Sequence, residues 1–94
     1  NEHNPLVVIE ATELIRIGKR SDINKKVSYI DHRFQLIKLK YPKIKTILVF
    51  NCLPSQQELV NRCIRNYTIN TDYYFVNKIA KLPFLLHNLF KNKL

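Results

Sequence analysis

The sequence predicts an α/β fold in which a small mixed or parallel sheet is flanked by helices. Three observations carry this. Apolar strand-like runs alternate with amphipathic helical runs in the order β-α-β-α-β-α. The segments between strands have the length of crossover connections. The runs at residues 6–14 and 44–51 are apolar on both faces, as in a sheet covered on both sides.

The first strand covers residues 6 to about 14. Leu6, Val8, Glu10 and Thr12 share one face; Val7, Ile9, Ala11 and Glu13 share the other. Ile15 and Ile17 prolong the pattern, and Gly18 permits a tight turn. Ser21 is a suitable N-cap for a long helix. Ile23, Val27, Ile30, Phe34, Ile37 and Tyr41 follow at steps of four and three, an unbroken helical stripe that Pro42 stops. Residues 44–51, IKTILVFN, form the second strand. Pro54 and Ser55 open a second helix, where Ser55 and Glu58 have the spacing of a capping box. Leu59, Val60, Cys63, Ile64 and Tyr67 mark its buried side. Residues 72–76, DYYFV, read as a third short strand. A last helix carries Ile79, Leu82, Leu86, Leu89 and Phe90, with Pro83 in its true first turn and the preceding residues in a separate turn.

Composition narrows the function classes. The 94 residues are 46% apolar, enough for one modest core and one domain, residues 1–94. Because the chain starts at Asn1 and has only three strands, it reads as a fragment of a larger domain, a processed product or a trimmed chain. A single glycine excludes the glycine-rich phosphate loops of nucleotide-binding folds. No serine lies in a GxSxG context. Cys52 and Cys63 lack zinc-site spacing and read as reduced thiols, which together with the lack of a visible signal peptide gives an expected intracellular location, cytoplasmic or nucleoid-associated. The apolar runs fall short of a membrane span, so no membrane partner is expected. Net charge is +9, from 16 Lys and Arg against 7 Asp and Glu. That balance favours a polyanionic partner, most often nucleic acid, through phosphate contacts and counterion release.

Glu10 is the exception within its strand. An isolated carboxylate in an apolar interior costs several kcal/mol, of order 3–5, unless it is paired or holds a cation. It is either salt-bridged by a Lys or Arg of the following helix, exposed on an edge strand, or a metal ligand. Thr12 lies on the same face. A carboxylate, a spacer and a polar residue at a strand end suit phosphodiester hydrolysis, the first holding Mg²⁺ and the second orienting the attacking water.

LVVIEATELIRIGKR, the basic amphipathic helix after it, and ILVFN together resemble the core of the PD-(D/E)XK, or restriction endonuclease-like, nuclease superfamily. The likeness covers residues 6–51 and is greatest to type IIS restriction enzyme cleavage domains. In these a strand ending Glu-x-(Ser/Thr) leads through an Ile-Gly turn into the helix, as Ile17-Gly18-Lys19 does here. The resemblance implies a Mg²⁺-dependent DNA endonuclease, or the C-terminal half of one. Glu10 would be the metal ligand and Thr12 would stand at the position of the family's lysine. Lys19, Lys25 or Lys26 would supply the positive charge at the scissile phosphate. Two features depart from the pattern: Thr12 is not Lys, and family spacing puts the upstream acid before Asn1.

Lys25, Lys26, Arg33, Lys38, Lys40, Lys43 and Lys45 are the densest basic region and the expected DNA-backbone contact, with His32 a further phosphate candidate. Glu13 reads as a rim residue, His87 as a packing histidine and His3 as part of a mobile terminus. The aromatics show no stacking pattern: Tyr73, Tyr74 and Phe75 alternate faces and at least one face is core. The alternative to a nuclease is a non-catalytic basic α/β module for nucleic-acid binding or assembly, including a homodimer through the apolar last helix. One geometry separates the two. A second acid about 4–5 Å from Glu10 with a lysine in reach favours catalysis. An Arg or Lys capping Glu10, with no second acid, favours binding.

Overall fold

The structure, a computed structural model, describes residues 7–13 and 20–91. Its elements are β1 (Val7–Glu13), α1 (Arg20–Lys40), β2 (Lys45–Asn51), α2 (Gln57–Tyr67), β3 (Tyr73–Val76) and α3 (Leu82–Phe90). Short 3-10 turns at Pro54–Gln56 and Ile79–Lys81 precede α2 and α3. The sheet is parallel throughout, in the order β1-β2-β3.

The central strand explains its own composition. Ile47, Leu48, Val49 and Phe50 are each at most 1% exposed, because β2 is covered on both faces. Leu48 and Phe50 pack beneath α1 and α2, with Ile23, Val27, Ile30 and Phe34 from α1 and Val60, Cys63 and Ile64 from α2. Ile47 and Val49 face the opposite way, toward Leu82, Leu86, Leu89 and Phe90 of α3. Each such side chain contributes about 1.5–3 kcal/mol on burial, so β2 is the energetic centre of the molecule. Tyr73 and Phe75 join the α3 face and Tyr74 and Val76 the other, so β3 is core on both sides. Tyr73 meets Phe90 edge to face at 6.4 Å.

α1 runs for 21 residues on the periodicity read from the sequence. Asp22 in its first turn and Lys38 and Lys40 in its last complement the helix dipole. It begins one residue before Ser21, which is therefore inside the helix and not its cap. The expected Ser55–Glu58 capping box does not form either. Pro54 starts a 3-10 turn closed by the Gln56 N–H on the Leu53 carbonyl at 2.9 Å, and α2 begins only at Gln57, with no side-chain cap. Pro83 does lie in the first turn of α3, after a separate turn. Tyr67 and His87, expected to pack inside, are exposed.

Two aspartates stitch the ends of elements together. Asp31, 6% exposed on α1, accepts hydrogen bonds from the N–H groups of Ile69 (3.0 Å) and Asn70 (2.9 Å), the Asn70 amide (3.1 Å) and the Thr71 hydroxyl (2.8 Å). Asp72 accepts from Lys38 Nζ at 2.8 Å and the Thr46 N–H at 2.9 Å, locking the start of β3 to β2 and α1. Asn77 ends β3 at φ 58°, a left-handed conformation that asparagine tolerates. Its Oδ1 accepts from the Cys52 N–H at 2.8 Å, and its amide donates to Gln57 Oε1 at 3.2 Å.

Candidate nucleic-acid interface

β1 is an edge strand. Val8, Glu10 and Thr12 project to the α1 side, in register with Thr46, Leu48 and Phe50 of β2. Ile9 and Ala11 on the opposite side are exposed. Glu10 stands in the middle of β1, not late in it, and it is half-buried: its side chain is 29% exposed. It has a partner. Arg33 Nη1 donates to Glu10 Oε1 at 2.5 Å. The parallel crossover lays α1 along β1, and the face carrying Arg33 falls over the strand.

This pair satisfies the carboxylate without a cation from solution. The Arg33 side chain remains 50% exposed, so the Coulomb gain is screened and the pair contributes about 0–1 kcal/mol to folding. Its larger effect is positional. Glu10 fixes the guanidinium at the boundary between β1 and the outer surface of α1.

The donor set fits a resident magnesium ion poorly. Glu10 is engaged by Arg33, Thr12 is neutral, and among the described residues no three His, Cys, Asp or Glu side chains converge. Magnesium sites in proteins are built on carboxylates, and one that is already neutralised holds the ion weakly. Lys19 lies outside the described residues, and no side-chain placement is described for Glu13.

The remaining candidates sit together on α1. Lys25, Lys26, His32 and Arg33 are all exposed. Lys38 is not available in the same way, since Asp72 holds it. Among the described residues Lys25 and Lys26 have no acidic partner, which leaves their full charge facing solvent. Sequence reading missed the residue at the centre of this group. Tyr29 is 60% exposed, and the Arg33 guanidinium carbon lies 5.8 Å from its ring centroid. Positions three and four residues away are surface neighbours on a helix. For Tyr29 those positions are Lys25, Lys26, His32 and Arg33, so every flanking neighbour is basic. That spacing was present in the sequence but is obscured by the apolar stripe one turn of the wheel away.

A second polar group gathers where β2 and β3 end. Burial pushes the Cys52 thiol above its ordinary value of 9.0, only partly offset by the hydrogen bond with Asn77. It therefore stays protonated at neutral pH and is a poor nucleophile. Among the described residues, no helix is long and apolar enough to cross a membrane. No family model, curated protein or solved structure matches the chain.

Proposed function

We propose that this chain is a non-catalytic, basic α/β module that binds nucleic acid through the outer surface of α1. The observation that carries the reading is the Glu10–Arg33 ion pair. The one carboxylate on the strand face that suits hydrolysis is spent on an arginine. The exposed lysines beside it have no acidic partner among the described residues and are suited to phosphate. In this reading β1-α1-β2 is a restriction endonuclease-like strand-helix-strand unit in which Glu10 positions Arg33 and does not hold magnesium. Lys25, Lys26 and His32 take the backbone, and the net charge of +9 supplies long-range attraction.

DNA binding followed through a salt titration tests this directly. Affinity should fall steeply between low and physiological salt. Lys25→Ala with Lys26→Ala should reduce the slope by about 1.8 on duplex DNA, at about 0.9 for each phosphate no longer neutralised. A flat salt response sinks the proposal.

The nuclease reading retains one observation in its favour. Glu10 and Thr12 share a face of a strand followed by a helix and a second apolar strand, the order that the resemblance implies. It needs a second carboxylate, which the described residues do not bring to Glu10. Supercoiled plasmid incubated with Mg²⁺ or Mn²⁺ separates the readings. Metal-dependent nicking that disappears in Glu10→Gln would establish the nuclease; intact plasmid with retained binding supports the module.

A further inference from the structure

The geometry points to Tyr29 as a stacking platform for an unpaired base, making single-stranded nucleic acid the preferred partner of the α1 surface. The inference rests on the nucleic-acid reading above and goes beyond it in naming the strand state and the contact.

Three features converge on Tyr29. First, its ring is 60% exposed although α1 has a complete buried stripe without it, so the ring is not used to hold the fold. Second, the Arg33 guanidinium lies against the ring at 5.8 Å and is itself tied to Glu10. The ring and its cation are thus held in place before any partner arrives, which lowers the ordering cost of binding. Third, Lys25, Lys26 and His32 complete the basic ring around it.

Lysines alone would serve a duplex, because phosphates are equally accessible there. An exposed aromatic ring adds nothing against a duplex surface, whose base faces are stacked on one another. Against a single strand it matches the exposed face of any base, while the lysines follow the backbone on either side. Arg33, neutralised by Glu10, is a positioning group for the ring. The Lys25–Arg33 tract spans about 12 Å along the helix axis, at about 1.5 Å per residue, so it takes a short run of nucleotides. Leu36 and Leu39, 54% and 75% exposed, follow it, with Lys40 exposed beyond them.

The test uses the full chain with a fluorescently labelled oligothymidine and a duplex of the same length, read by anisotropy. The wild-type chain should prefer the single strand. Tyr29→Leu should weaken single-strand binding about tenfold, the scale of one stacked base, with no change in salt slope or in duplex affinity. Tyr29→Phe should retain wild-type binding. Lys25→Ala with Lys26→Ala should weaken both ligands and lower the single-strand slope by about 1.4, at about 0.7 per phosphate. Far-UV circular dichroism confirms that each variant is folded. If Tyr29→Leu binds the oligonucleotide like wild type while the lysine variant does not, the stacking inference fails and the nucleic-acid reading stands. If no variant and no wild type binds at low salt, both fail. A wild-type dimer that Tyr29→Leu dissociates, with nucleic-acid affinity unchanged, overturns the inference in favour of a protein contact along Tyr29, Leu36 and Leu39.

Discussion

Arg33 and Glu10 meet at 2.5 Å across a sequence separation of 23 residues, joining the middle of α1 to the middle of the edge strand. The bond turns a carboxylate that looks catalytic in the sequence into the anchor of a surface arginine.

Removing that anchor should separate stability from binding. Glu10→Gln is expected to change folding stability by no more than about 1 kcal/mol, as for other half-exposed pairs. It should raise DNA affinity at low salt and increase the duplex salt slope by about 0.9, because Arg33 becomes available to a phosphate. Urea denaturation and a salt titration of the same variant check both halves. An unchanged duplex salt slope in Glu10→Gln would show that the freed guanidinium reaches no phosphate.

Asp31 should behave as a structural residue. Asp31→Ala leaves the donors of Ile69, Asn70 and Thr71 without their shared acceptor in a half-buried loop. The expected loss is about 3 kcal/mol, or a fall in Tm of at least about 10 °C for a domain of this size. Calorimetry measures it. A Tm within a few degrees of wild type would show that water replaces the carboxylate at little cost.

Asp72 should make the fold acid-sensitive. Burial raises its carboxyl, but the Lys38 hydrogen bond and charge and the Thr46 hydrogen bonds outweigh it and hold it below 3.8. A depressed carboxyl stabilises the folded state fully above its unfolded value, and that stability is lost as pH falls through the folded value. The urea midpoint should therefore drop below about pH 4, where the unfolded carboxyl begins to protonate. Asp72→Asn should be less stable than wild type at pH 7 and lose part of that acid dependence. Equal pH profiles for the two would assign the acid sensitivity to other groups.

The core should tolerate little at β2. Leu48→Ala is expected to cost about 2–5 kcal/mol, because Leu48 is fully buried between the sheet and the α1–α2 layer. Ile69→Ser, at a side chain 92% exposed, should stay within about 0.5 kcal/mol of wild type. Parallel denaturation curves give the contrast.

Most of the architecture could be read from local pattern. The β-α-β-α-β-α order, the span of α1, the near-continuous apolar run of β2 and the turn before Pro83 all depend on residues within a few positions of one another. Periodicity and proline chemistry report such things directly. Errors fell where a local motif had a local competitor. The Ser55–Glu58 capping box lost to a 3-10 turn started by Pro54, and Tyr67 and His87 were assigned inward by spacing alone.

The candidate site was legible as a set of residues but not as a set of partnerships. Glu10 with Thr12 on one strand face, and Lys25 with Lys26 on one helix, follow from the periods of strand and helix. That Glu10 is answered by Arg33, that Asp31 holds the loop at 69–71 and that Lys38 is taken by Asp72 do not. These pairs are 23, 38 to 40 and 34 residues apart, and each exists only because the crossovers bring α1 beside β1, α2 and the start of β3. A charge in sequence declares that it needs a partner or water. Which one it receives depends on which distant element the buried apolar faces pull alongside it.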